Sequence, residues 1–201
     1  MLIIGLAGGI ACGKSFVAGC FKQFGAALID ADRVGHEVLD QSDVQALLVD
    51  RWGSEVIIDR KVDRRRLAAI VFDPGDDGQQ LSELEKMTHP LIRYRIESQI
   101  EGLRNAGTVP AVVLDAPIMF RAGWDDICDQ IVFVDAPIDV RRQRAALRGW
   151  KEGELERRES RQVAIDEKRE RSTGVVDNAG DKQETRDQVN LLWRQWQLPL
   201  G

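Results

Sequence analysis

Gly8-Gly9-Ile10-Ala11-Cys12-Gly13-Lys14-Ser15 decides how this chain folds, because it matches G-x-x-x-x-G-K-[ST] in full. Its flanks carry as much information as the match. In front, Leu2-Ile3-Ile4-Gly5-Leu6-Ala7 is a short apolar run suited to a buried parallel strand. Behind it, Phe16, Val17, Cys20, Phe21 and Phe24 recur at helical spacing, so a helix starts at Gly13 or Lys14 and stops near Gly25. Strand, glycine loop and helix together make an anion cradle. Backbone N–H groups at a helix N-terminus face the ligand, and the helix dipole favours its negative charge. Gly9, Ile10, Ala11, Cys12, Gly13, Lys14, Ser15 and Phe16 then surround a nucleoside triphosphate, with Lys14 on its β- and γ-phosphates and the Ser15 hydroxyl on Mg²⁺. Cys12 sits where a helix N-terminus lowers a thiol pKa, which predicts slow inactivation by thiol reagents with ATP protecting; the plainer reading is a small residue filling the loop.

The rest of the chain has room for one α/β domain of this kind. Its 201 residues support a sizeable core but not two ordinary domains. No apolar run approaches a membrane span, and a strand feeding directly into a phosphate loop is not a cleaved leader. Three unpatterned cysteines suit a reducing, cytoplasmic setting better than a disulfide framework. A net charge of −5 argues against a general nucleic-acid binder. The charge is uneven, however: residues 141–171 hold 11 Lys/Arg against 7 Asp/Glu. One basic segment in an acidic chain points to a polyanionic ligand gripped locally.

Further strands are expected at 26–29, 111–115, 131–135 and 174–177, which with the first makes five. The second delivers Asp30-Ala31-Asp32 to its C-terminal end, and the next two each end in Asp-Ala-Pro, bringing Asp115 and Asp135 to that edge. In open α/β sheets this is the edge where ligands gather. By spacing alone Asp32 is either a base for an acceptor hydroxyl or the cap of a helix opening at Arg33, and Asp115 either a magnesium ligand through water or a turn acid. Residues 33–49 read as two helices broken at 40–43, with Ser42 or Asp43 capping the second. Residues 50–105 carry helical rather than strand patterning. Pro90 is expected to end one helix near Thr88 and begin another, leaving His89 to contact a substrate or to cap. Helices are expected at 139–148, at 154–171 and at 187–196. Arg144 and Arg148 share one face at i, i+4, where two guanidinium forks suit phosphate. Asn178 falls on a turn after the last strand.

These marks together resemble dephospho-coenzyme A kinases. The glycine loop followed by Leu28-Ile29-Asp30-Ala31-Asp32, then His89-Pro90-Leu91-Ile92, Asp115-Ala116-Pro117-Ile118-Met119-Phe120 and Val175-Val176-Asp177-Asn178-Ala179-Gly180, follow the family's order and spacing over essentially the whole chain. The resemblance implies a P-loop NTPase three-layer fold: a parallel five-stranded core (1–32, 106–137 and 172–201), a helical acceptor-binding insertion at about 33–105 and a helical lid at about 138–171. It implies transfer of the γ-phosphoryl of ATP to the ribose 3′-hydroxyl of dephospho-coenzyme A, with Asp32 as catalytic base and acceptor contact. It puts Asn178 at the adenine end of ATP, and beside it the residue readings set Lys14 and Arg144 on the phosphoryl group, Arg148 on ATP and His89 on the acceptor. Relatives commonly read Thr-Gly-Gly-Ile-Gly-Ser-Gly-Lys in the loop, where this chain has Ala7, Ala11 and Cys12, and they carry an acid near the position of Arg121. Two rivals are a small P-loop kinase acting on a nucleoside monophosphate or sugar acid, and a nucleotide-dependent switch. The second lacks an Asn-Lys-x-Asp guanine-recognition pattern.

Overall fold

The computed structural model describes residues 1–199, which divide into two compact units, 1–30 with 99–199, and 31–98. The first unit is built on β1 (Leu2–Gly8), which is buried from its second residue on and runs down the middle of a sheet. The other strands are β2 (Ala27–Asp30), β5 (Ala111–Asp115), β6 (Gln130–Asp135) and β7 (Gly174–Asp177), ordered β2-β5-β1-β6-β7 and all parallel. Ile3-Ile4, Val112-Val113-Leu114 and Ile131-Val132-Phe133-Val134 are buried on both faces, which explains their continuous rather than alternating apolar pattern.

Helix α1 (Lys14–Gln23) and α9 (Lys182–Gln195) pack together on one face of this sheet. Phe21 stacks on Trp196 at 6.1 Å and meets Trp193 at 6.3 Å, with Phe24 at 5.9 Å from Trp193. Phe21 and Trp193 are fully buried, each contributing about 1.5–3 kcal/mol or more. Helix α9 begins five residues earlier than its apolar face predicts, because the Asp181 side chain caps it through the Gln183 N–H. Helices α6 (Ile138–Leu147), α7 (Glu154–Glu159) and α8 (Ile165–Glu170) complete the unit. The single helix expected over 154–171 is thus two. Ser160 turns its hydroxyl back to the Arg157 carbonyl, and Ala164 is extended, so that α8 can lie against β1.

The second unit contains α2 (Ala31–Leu39), α3 (Ser42–Trp52), α4 (Arg64–Val71) and most of α5 (Gln79–Ala106). Three expectations need correcting here. Neither Ser42 nor Asp43 caps α3: Gln41 holds that position without a side-chain bond. Residues 57–62 are not helical but form a hairpin, β3 (Ile57–Ile58) with β4 (Lys61–Val62). Asp59 and Arg60 both take positive φ, as a two-residue turn of this twist requires, yet neither is the glycine that would have announced it. Tertiary bonds hold the turn: Asp40 Oδ1 accepts from the Val62 N–H at 3.1 Å, and Gln45 Nε2 donates to the Arg60 carbonyl at 2.9 Å. Finally, α5 runs through Pro90 unbroken. The proline costs about 3 kcal/mol in a helix interior. Burial of Ile92, Ile96 and Ile100 on one stripe offsets this at about 1.5–3 kcal/mol each.

Candidate active site

The loop between β1 and α1 has backbone angles that only some residues hold without strain. Gly8 has φ +144°, and a Cβ there would stand 2.6 Å from the Val134 carbonyl oxygen. Gly13 has φ +96°, and a Cβ there would collide with Asn178 Nδ2. Ala11 takes φ +62°, a left-handed conformation that costs a non-glycine residue about 1–2 kcal/mol. Beyond the loop, the Phe16 and Val17 N–H groups turn back to the Gly13 carbonyl, and a helix N-terminus offers the N–H groups ahead of them to an anion. Lys14 is half-buried and Ser15 exposed in that first turn.

Three side chains from distant parts of the unit grip the loop backbone. Arg144 Nη1 donates to the Cys12 carbonyl at 2.9 Å and Nη2 to the Asn178 carbonyl at 2.6 Å. Asn178 is buried; its Nδ2 donates to the same Cys12 carbonyl at 2.7 Å, and its Oδ1 accepts from Thr185 Oγ1 at 3.1 Å. Glu159 Oε1 accepts from the Ile10 N–H at 3.0 Å and from Arg141 Nη1 at 2.7 Å. Arg141 is itself buried, with Nε on the Ala136 carbonyl at 3.2 Å. Lys168 lies buried with Nζ 3.5 Å from the Gly8 carbonyl and 2.7 Å from Gln162 Oε1. Burial, and then the charge of Lys14, pushes the Lys168 pKa down to about 8.

At the C-terminal edge of the sheet, Asp30 and Asp115 are register partners on β2 and β5, and Asp135 and Asp177 on β6 and β7. The latter two have structural duties: Asp135 is ion-paired with Arg169, and Asp177 accepts from the Ala179 N–H. A narrow cleft at this edge is lined by Gly8, Lys14, Pro117, Met119, Phe120 and Lys168. Phosphate loop, parallel sheet and a cleft over the strand ends are thus in one unit, and a family model described as dephospho-CoA kinase matches residues 2–184.

The chain belongs to the dephospho-CoA kinase family. The dephospho-CoA kinase of Symbiobacterium thermophilum is 39% identical over 198 residues, spanning 96% of this chain and 81% of that one. That of Moorella thermoacetica is 38% identical over 204 residues, spanning 100% and 95%. Among solved structures, a Thermus thermophilus protein superposes with a TM-score of 0.81 at 28% identity over 97% of both chains. The dephospho-CoA kinase from Campylobacter jejuni (TM-score 0.72, 22% identity, 96% of each chain) and a shikimate kinase from Bacteroides thetaiotaomicron (TM-score 0.51, 15% identity, 98% and 99%) share the fold.

Within this family frame the expected site residues fall unevenly. Gly9 to Gly13 lie in the loop and Lys14 and Ser15 in the first turn of α1, and half-buried Phe16 lies under Lys182 and Arg186 at 5.8 and 5.4 Å from its ring centre. Arg144 and Asn178 meet at one loop carbonyl, whereas Arg148 is the exposed residue that closes α6. Asp32 is not an N-cap: α2 already begins at Ala31, which leaves Asp32 exposed in its first turn, two residues past β2. His89 is no helix-end cap either, since α5 continues past it; it is half-buried. Asp115 ends β5, half-buried, and Arg121 is exposed in the turns that follow. For Cys12 the plainer of the two readings, a small residue filling the loop, fits the structure. Its thiol is buried, and desolvation raises its pKa against the opposing charge of Lys14. The sequence reading overlooked Arg141, Glu159, Gln162 and Lys168 altogether. Their partners lie up to 160 residues away, and local patterning marks them only as members of a charged run.

Proposed function

We propose that this chain transfers the γ-phosphoryl of ATP to the ribose 3′-hydroxyl of dephospho-coenzyme A, giving coenzyme A and ADP, the last step of coenzyme A biosynthesis. The carrying observation is a complete phosphate loop, braced at Ile10 and Cys12, in a chain that matches the dephospho-CoA kinase family over residues 2–184. In this reading the N–H groups at the end of the loop and at the start of α1 hold the phosphates, those of Ile10 and Cys12 being taken by Glu159 and the Gly9 carbonyl, and Lys14 reaches the β- and γ-phosphates. Arg144 stabilises charge on the transferred group, with Arg148 and Asn178 toward ATP. Asp32 takes the proton of the attacking hydroxyl, and His89 helps hold the acceptor. Residues 33–105 bind that acceptor, and 138–171 act as a lid that excludes water when closed.

Mg²⁺ belongs to the same reading. Among the described residues no group of three His, Cys, Asp or Glu side chains is arranged to cage a cation. Mg²⁺ that arrives on a triphosphate needs only one or two protein oxygens. The exposed Ser15 hydroxyl and the Asp115 carboxylate at the end of β5 fit that donor set. When bound, the ion would neutralise charge on the triphosphate. No helix among the described residues is long and apolar enough to cross a membrane, and a cytoplasmic location, without nucleic-acid or membrane partners, completes the proposal.

The test is ADP release with Mg-ATP, comparing no acceptor, dephospho-coenzyme A, AMP and gluconate. Stimulation by dephospho-coenzyme A alone is expected. Stimulation by AMP or gluconate instead would replace the acceptor, and slow turnover indifferent to all three would favour a switch.

A further inference from the structure

A lysine ammonium is almost never buried without a counter-charge, because desolvating it is costly. Lys168 departs from that rule. Its side chain is on α8, only 3% of its surface is exposed, and its hydrogen bonds go to two neutral oxygens, Gln162 Oε1 and the Gly8 carbonyl. The nearest carboxylate that influences it, Glu159, is already engaged by Arg141 and the Ile10 N–H. Lys14, in contrast, is close enough to repel it. Two lysines therefore face one narrow cleft at the end of β1, between the first loop glycine and the Pro117–Phe120 turn. An arrangement of like charges that burial makes worse is relieved when an anion enters between them.

We propose that Lys168 binds the transferred phosphoryl group directly, opposite Lys14, as a second cation on the oxygens where negative charge is held during transfer. The reaction it serves is the one proposed above. Gln162 aims the ammonium, and the Gly8 carbonyl, at 3.5 Å, is a weak partner that the ammonium can leave for a phosphoryl oxygen. Fixed donors of this kind, set in a water-poor site before the reaction begins, carry much of the acceleration in phosphoryl transfer.

The test compares Lys168→Met and Lys168→Arg with the parent chain. Affinities for Mg-ADP and for a non-hydrolysable Mg-ATP analogue are measured by calorimetry, and kcat with dephospho-coenzyme A. K168M is expected to lower kcat about 10²-fold, as loss of one oxyanion donor does. It should weaken the ATP analogue about tenfold while leaving ADP, which lacks the γ-phosphoryl, within about twofold. K168R should recover part of both losses. Equal weakening of ADP and ATP analogue would mean that Lys168 only ties α8 to the loop, and unchanged kcat would likewise overturn the proposal. Where circular dichroism finds K168M unfolded, Lys168→Gln is read by the same comparison. The ADP-to-ATP ratio needs no acceptor, so an error in the assigned acceptor and an error about Lys168 show up in different measurements.

Discussion

The ion pair Arg141–Glu159 is the strongest lever on the loop, and its removal has calculable consequences. Only 7% of the Arg141 side chain and 17% of the Glu159 side chain are exposed, and Glu159 also holds the Ile10 N–H. Glu159→Leu leaves a buried guanidinium without its carboxylate, which costs about 3–5 kcal/mol. Out of a total stability of about 5–15 kcal/mol, that is a large share. In a chain of this length it lowers Tm by roughly 6–20 °C. Arg141→Met together with Glu159→Leu removes both charges. The Ile10 N–H stays unsatisfied as it does in Glu159→Leu alone, and the Ala136 and Ile10 carbonyls additionally lose their Arg141 donors, at about 1–3 kcal/mol. The double variant is therefore expected to be more stable than Glu159→Leu alone, by about 2 kcal/mol. Urea unfolding followed by tryptophan fluorescence reads this directly, because Trp124, Trp150, Trp193 and Trp196 all lie in the unit that holds the pair. A double variant as unstable as the two single losses added together would refute the reasoning. So would a Glu159→Leu cost below about 1 kcal/mol, which belongs to an exposed pair.

Ala11→Gly relieves the φ +62° strain and should stabilise the chain by about 1 kcal/mol, seen as a Tm rise of a few degrees; a fall would show that Ala11 contributes packing that outweighs its backbone cost. Asp32→Asn is expected to lower kcat about 10²–10⁴-fold while the affinity for ATP stays within twofold, measured by steady-state kinetics and calorimetry; unchanged kcat would remove Asp32 from the chemistry. Burial raises the pKa of Cys12, Cys20 and Cys128, the last to about 12, so the thiolate fraction at pH 8 is below that of a free cysteine. Ellman's reagent should label the native thiols slowly at pH 8 and faster as pH rises, with ATP making little difference; rapid labelling of Cys12 at pH 7 would contradict its burial. Finally, the folded-state pKa of Lys168, near 8, is below its ordinary 10.5, with Lys14 and Arg141 opposing its charge and Glu159 and Cys12 favouring it. Between these values the unfolded chain binds more protons, so stability contributed by this group rises with pH across that window. K168M should lose that rise when compared with the parent in the same buffers at pH 7.5 and 9.5.

How much of this was legible in the sequence depended on how local each signal is. The phosphate loop, the five parallel strands and α1 follow from short apolar runs and glycine spacing, and the family marks from Asp32 to Asn178 are read in one dimension. The hairpin at 57–62 was not legible, because its left-handed turn residues are Asp59 and Arg60 and its stability comes from Asp40 and Gln45 elsewhere in the chain. Pro90 misled for the complementary reason: its local cost is certain, and only the burial of Ile92, Ile96 and Ile100 outweighs it.

The same division runs through the candidate site. By itself the sequence determined the chemistry on offer: a lysine and a serine on a phosphate loop, and acids at strand ends. Tertiary structure alone decided which members of the basic run are surface charges and which belong to the loop. Arg142 and Arg158 pair with Glu156 and Glu154 at the surface, whereas Arg141, Arg144 and Lys168 reach back more than 120 residues to the carbonyls of Ile10, Cys12 and Gly8. Charge is visible in a sequence, but desolvation is not. Whether an arginine or a lysine is ordinary or costly depends on what the folded chain brings against it, and that is a property of three dimensions.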